Sequence, residues 1–250
     1  MFPRVIKLAV ANLLPRSVYL PAYARIATWS IATKRRYAPE IDLLPRFVHS
    51  GDTVLDVGAG HGLYTYHLSR LVGPAGTVHA FEPIPLNVRI LSHAVRSQAL
   101  RNVVIHAQGC GEKPQRATFG VSLEHGIPQL GDPRQAPEGL QFDCEIVKLD
   151  DVIHSKVQFI KVDVEGAELF VFRGAERIIR QCQPVILFEA GQHTGAFGYE
   201  QQAVFDFLSG LNYKFFSGGW VGKKPLEPRD CFTDAEDYFA VSVDAAPALA

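Results

Sequence analysis

The sequence predicts an α/β fold: a doubly wound, mostly parallel seven-stranded sheet with helices on both faces and a β-hairpin insertion. Three observations carry that expectation. Short apolar runs alternate with segments of helical spacing, as in successive βαβ units. A glycine turn, Gly58-Ala59-Gly60-His61-Gly62, joins the first run to a helix. Acidic residues Asp56, Glu82, Asp163 and Glu189 lie at or near the ends of four runs. An open α/β sheet gathers such strand ends into one ligand crevice. The arrangement is Rossmann-like.

Residues 1–36 read as a helical extension, residues 37–243 as the main domain and residues 244–250 as a frayed tail. Within the extension, Val5 to Leu14 has the pattern of an amphipathic helix, and Pro15 and Pro21 punctuate the chain beyond it. Lys7 interrupts the apolar run, which argues against a signal peptide. A helix packed on the domain edge is the expected role. Contact with a membrane surface is the alternative, because Arg4, Lys7, Arg16, Arg25, Lys34, Arg35 and Arg36 make the segment basic.

Tyr37 to His49 is expected to be a short helix leading into the first strand, where Val54, Leu55 and Val57 suit burial on both faces. Leu63 to Leu71 comes next as a helix. Gly76 to Glu82 is the second strand, 85–100 a crossover helix and Asn102 to Ala107 the third strand. Arg116 to Leu123 and Gln141 to Leu149 form the hairpin. The segment between them holds Gly126, Pro128, Gly131, Pro133, Pro137 and Gly139, too many breakers for regular structure. Val157 to Asp163 is the fourth strand. Ala167, Phe170, Val171, Ala175, Ile178 and Ile179 mark one face of the next helix. Val185 to Glu189 is the fifth strand, Val204 to Leu211 a helix. Tyr213 to Ser217 and Tyr238 to Val243 close the sheet as an antiparallel ending.

An apolar fraction of 47% in 250 residues provides a full core. A net charge of −1 with mixed signs points to no nucleic-acid partner. Cys110, Cys144, Cys182 and Cys231 form no C-x-x-C, so neither a zinc site nor a redox pair is expected; free thiols indicate a reducing, cytoplasmic setting. No apolar run approaches the roughly 18 residues that span a bilayer.

The turn has the pattern Asp-x-Gly-x-Gly-x-Gly. The dinucleotide fingerprint needs glycine where Leu63 stands, and the phosphate-binding P-loop needs a Gly-Lys-Ser/Thr that is absent. Two readings remain: an ordinary tight strand–helix turn, or the site of a cofactor without a pyrophosphate, S-adenosylmethionine, its carboxylate near the helix start. Glu82 lies 26 positions after Asp56, near the spacing at which an acid meets a ribose.

At Lys148-Leu-Asp-Asp151 and Ile160-Lys-Val-Asp-Val-Glu-Gly-Ala-Glu168 the chain resembles the FkbM family of S-adenosylmethionine-dependent methyltransferases. Asp56 to Gly62, Phe81-Glu-Pro83 and Val185 to Glu189 match in order and spacing, so the resemblance spans about residues 50–190. The family usually has asparagine where Gly60 stands, so an amide contact is lost here. The resemblance implies methyl transfer, with a hydroxyl of a glycan, glycolipid or small-molecule metabolite as acceptor. It places Asp56, Gly58, Ala59, Gly60 and Gly62 around the methionine portion, and His61 and Thr65 are expected to bind the cofactor with them. Glu82, with Pro83 after it, falls on the ribose. Gln108, Gly109 and Cys110 fall near adenine, and Asp163 and Val164 near the methyl end. A neutral alcohol must lose its proton as the bond forms, and the candidate bases are His193, Glu165, Asp163 and His61. Two other functions compete: a non-catalytic binding or scaffold protein on the same fold, and a nicotinamide-dependent oxidoreductase. The acceptor pocket is expected between the 112–148 insertion, the His193 loop and part of the N-terminal segment.

Overall fold

A computed structural model describes residues 16–122, 129–131, 141–189, 192–217, 227–229 and 237–244. The expected helix at Val5 to Leu14 and the tail 245–250 lie outside them, as does Cys231. The main sheet is built on β1 (Thr53–Val57), β2 (Thr77–Phe81), β3 (Val103–His106), β8 (Phe159–Val162), β9 (Val185–Glu189), β10 (Tyr213–Ser217), β11 (Glu227–Arg229) and β12 (Asp237–Ser242). Their order is β11-β10-β12-β9-β8-β1-β2-β3. The five strands from β9 to β3 are parallel, and β12, β10 and β11 complete the sheet antiparallel. The mostly parallel, doubly wound sheet is the predicted one. It carries an eighth strand, because Glu227–Arg229 adds to the edge at Phe215–Ser217. Three residues with a central proline show no alternation, and Pro228 fits only an edge.

Alternate residues of the central strands enter two cores. Leu55, Val57, Ile160, Val162, Ile186 and Phe188 face one side, against Leu169, Phe172, Ile178 and Phe205. Those last residues belong to α5 (Glu168–Gly174), α6 (Glu176–Cys182) and α7 (Gln202–Ser209). Val54, Phe159, Leu187 and Phe239 face the other, against Leu44, Leu68 and Val72. Leu44 comes from a 3-10 helix, Pro39–Arg46, and the other two from α2 (Leu63–Val72). Burial on both faces is why these strands read as continuous apolar runs. The N-terminal helix α1 (Arg16–Ala32) lies on α3 (Pro85–Ser97), where Ala24 and Ala27 pack against Ile90. No helix among the described residues is long and apolar enough to cross a membrane.

Two expectations are corrected. The segment 167–179 is not one helix. It breaks at Ala175, because Asp150, in the short helix α4 (Leu149–Val152), accepts from the amides of Arg177 (2.9 Å) and Ile178 (3.0 Å). A carboxylate on the first amides caps a helix start, so α6 begins anew there. The insertion is also more than a hairpin. Its β5 (Gln115–Ser122) and β7 (Gln141–Val147) pair antiparallel from Gln115↔Ile146 to Gly120↔Gln141. Two short strands, β4 (Gly109–Cys110) and β6 (Gln129–Gly131), widen it to four. Gln129–Gly131 lies in the breaker-rich stretch, where pairing to a formed edge overrides local propensity.

Candidate functional site

The crevice opens where the chain reverses, between β1 and β8, at the carboxyl edge of the parallel strands. The glycine turn is tied to the neighbouring strand: the amides of Gly58 and Ala59 both donate to the Phe81 carbonyl, at 3.0 and 2.9 Å. Below it, Asp56 is fully buried and accepts a short hydrogen bond from Thr65 Oγ1. Burial pushes Asp56 up to about 6, against the hydrogen bond from Thr65 and the charge of Lys161.

Glu82 organises the turn from the other side. Its Oε2 accepts from the Gly60 amide at 2.8 Å, and its Oε1 from the Ile84 amide at 2.9 Å and Asn87 Nδ2 at 3.3 Å. Burial pushes its carboxyl up to about 7, although all three donors oppose that shift. A carboxylate offers about four acceptor positions, so one on Oε2 remains for a further hydroxyl. Asn87, thus oriented, presents its Oδ1 to His61 Nε2 at 3.1 Å, and His61 Nδ1 faces Arg36 Nη1 at 3.0 Å.

These groups surround a cavity of about 280 Å³. Gly58, Ala59, Gly60, His61, Glu82, Pro83, Gln108, Gly109, Cys110, Asp163, Val164 and Glu165 all line it. Asp56, Gly62 and Thr65 do not; Asp56 and Thr65 hold the turn from beneath, which is what burial of a bonded pair does. Three outlying segments each add wall residues: Arg36 from the N-terminal segment, Phe119 and Ile146 from the insertion, and Phe197 from the 3-10 helix Gln192–Phe197. The backbone of His193 lies in that helix, just past β9, and its side chain lies outside the described residues.

Behind Asp163 sits a charge cluster. Lys161 is buried on the sheet face that carries Phe159 and Leu187, opposite Asp56 in register, with Nζ 3.2 Å from Asp237 and 3.9 Å from Asp163. The ring of Tyr64 covers it at 4.9 Å. Burial alone would lower the lysine; Asp237, Asp163, Tyr64 and Glu189 outweigh it and hold the cation well above its ordinary value. Burial and the adjoining Asp163, to which it is hydrogen-bonded, push Glu189 up to about 9. The loop after Asp163 is pinned as well: Glu168 accepts from the amides of Val164 and Gly166, at 3.3 and 3.1 Å. Glu165, at φ +56°, makes the sharp bend that this pinning maintains.

Sequence reasoning missed Arg36, Asn87 and Lys161. A lysine inside the apolar run Val157 to Asp163 was a legible oddity; Arg36 and Asn87 carried no signal of their own.

The residues fit a nucleoside cofactor with an amino-acid tail. A methyl group built on Gly60 would project into open space, its nearest neighbour 3.9 Å away, so the turn leaves a bare backbone facing the cavity beside the Glu82 acceptor.

The family model for the methyltransferase FkbM domain matches residues 56–215. The methyltransferase sdnD of Sordaria araneosa is 26% identical over 165 residues, covering 51% of this chain and 61% of its own length. Methyltransferase 1 of Beauveria bassiana (strain ARSEF 2860) is 26% identical over 148 residues, covering 49% and 58%. The chain thus spans about six-tenths of these curated relatives. The crystal structure of methyltransferase FkbM from Methylobacillus flagellatus KT superposes with a TM-score of 0.53 at 19% identity, over 77% of this chain and 44% of that one. That likeness is one of fold.

Proposed function

Because the chain belongs to the FkbM family of methyltransferases, we propose that it transfers a methyl group from S-adenosylmethionine to a hydroxyl oxygen of a small molecule, glycan or glycolipid. The observation that carries this reading is the bare backbone of Gly60 facing the cavity next to the acceptor position on Glu82. When bound, S-adenosylmethionine supplies a methyl group already activated on a sulfonium.

The protein's own work is then alignment and proton removal. Gly58, Ala59 and Gly60 offer backbone to the methionine portion, Glu82 accepts from the ribose, and Gln108, Gly109 and Cys110 border the adenine. Asp163 and Val164 stand at the methyl end. Alignment of acceptor and leaving group accounts for about 7–11 kcal/mol of a barrier. Asp163 is the first candidate base on geometry, because it lines the cavity just past the carboxyl end of β8. Glu165 shares the wall, and His193 comes just after β9. A positioned base contributes about 10²–10⁴-fold. Apolar Phe119, Ile146 and Phe197 suit the less polar face of an acceptor. Unpaired thiols at Cys110, Cys144 and Cys182 support a reducing, cytoplasmic site of action.

Calorimetric titration with S-adenosylmethionine and with NAD tests the cofactor; binding of neither would favour a scaffold. Incubation with methyl-labelled S-adenosylmethionine and panels of hydroxylated metabolites, glycans and glycolipids tests the acceptor. Label appearing on nitrogen or carbon, and never on oxygen, would overturn the reading.

A further inference from the structure

Arg36 stands four residues beyond α1, far in sequence from the glycine turn and every strand end, yet it forms part of the cavity wall. Its orientation is dictated by a chain of hydrogen bonds that begins at Glu82. Asn87 Nδ2 donates to Glu82, which turns Asn87 Oδ1 toward His61. An oxygen there requires the proton on His61 Nε2, so Nδ1 is left as an acceptor for the guanidinium at 3.0 Å. His61 is only 2% exposed, and the Tyr23 ring packs edge-on against it at 5.6 Å. The imidazole is thus a neutral prop rather than a counterion.

Among the described residues, no carboxylate lies within ion-pair distance of Arg36. Burial lowers its pKa, and Tyr23 and Asp163 act in the opposite sense. The guanidinium remains charged throughout the physiological range. A largely buried cation without a paired anion is unfavourable, and here it borders the space beside the bare turn.

We propose that Arg36 binds the carboxylate of the cofactor's amino-acid portion, so that the N-terminal segment completes the cofactor site. This rests on S-adenosylmethionine being the cofactor. One edge of the guanidinium is held by His61, and the remaining donors match a carboxylate in a two-point pair.

Two ligands separate the clamp from the reading beneath it. S-adenosylhomocysteine contains the amino-acid tail, whereas 5′-methylthioadenosine keeps the nucleoside and thioether and lacks it. Calorimetry on the full chain should show Arg36→Met weakening S-adenosylhomocysteine by about 10- to 100-fold, the size of one lost charge-assisted pair. The same variant should bind 5′-methylthioadenosine like the wild type. Arg36→Lys should recover part of the loss and guards against misfolding of the methionine variant. Equal losses for both ligands would overturn the clamp in favour of support through His61. Unchanged S-adenosylhomocysteine affinity would overturn it outright. Wild-type protein that binds neither ligand would overturn the cofactor assignment and the clamp with it.

Discussion

Gly58 and Gly60 lie two residues apart in one turn, and alanine at each should fail for a different reason. Gly58 has φ +81°, and a methyl group built on it would stand 1.8 Å from the Asp163 carbonyl oxygen and 2.8 Å from its carbon. Both are backbone atoms at the end of β8, so no side chain can swing aside. The left-handed conformation costs about 1–2 kcal/mol. Overpacking adds about 1–3 kcal/mol or more. At about 2–4 °C per kcal/mol for a chain of this size, Gly58→Ala should melt about 4–20 °C lower. Gly60 has φ +53°, but its added methyl would meet nothing nearer than 3.9 Å. Only the conformational cost applies, about 1–2 kcal/mol, or about 2–8 °C. The methyl would instead occupy ligand space, so S-adenosylmethionine affinity should fall by about 1–3 kcal/mol. Gly60→Val, with a branched side chain, should abolish binding in a protein that still folds. Thermal melts and calorimetric titration of the alanine pair separate the effects. A Gly58→Ala protein as stable as the wild type would refute the close approach. A folded Gly60→Val protein with unchanged affinity would refute the cofactor site.

The same geometry sets other outcomes. Glu82→Ala should weaken S-adenosylmethionine by roughly 1.5–3 kcal/mol, measured by titration; a loss confined to turnover would remove Glu82 from the cofactor site. Burial raises Glu82 from 4.5 to about 7, so its contribution to stability is fully present below 4.5 and is lost as pH rises through 7. Glu82→Gln should therefore flatten the fall in stability over that interval by about 3 kcal/mol, and melts at both ends showing the wild-type slope would contradict the assignment. Asp150→Ala should remove the cap from α6 and cost about 0.5–2 kcal/mol, read from denaturant unfolding, with cofactor affinity unchanged. Asp163→Asn and His193→Ala compete for the base: loss of about 10²-fold or more in transfer rate, with cofactor binding intact, identifies it, and near-wild-type rates in both leave Glu165 or alignment alone.

The parts legible in the sequence were those written at short range. Period-two and buried runs marked β1, β2, β3, β8, β9, β10 and β12, and helical spacing marked α2, α3 and α7, because each pattern repeats within one element. The glycine turn and the acids at strand ends could be placed on one edge because parallel strands must all end there. Tertiary structure decided what depends on pairing between distant segments. Asp150 breaks the helix that the spacing around Ala175 made continuous, because two amides 27 and 28 residues away lack another acceptor. Gln129–Gly131 and Glu227–Arg229 become strands because a formed edge supplies their partners. Lys161 is tolerated inside a buried strand because Asp237, at the start of the last strand, comes alongside only when β12 pairs antiparallel with β9. Arg36 reaches the cavity because α1 docks on α3, and that packing of small residues fixes where the chain beyond it must pass. Local periodicity identifies elements and their buried faces; which unlike charges meet across them is settled by register and packing.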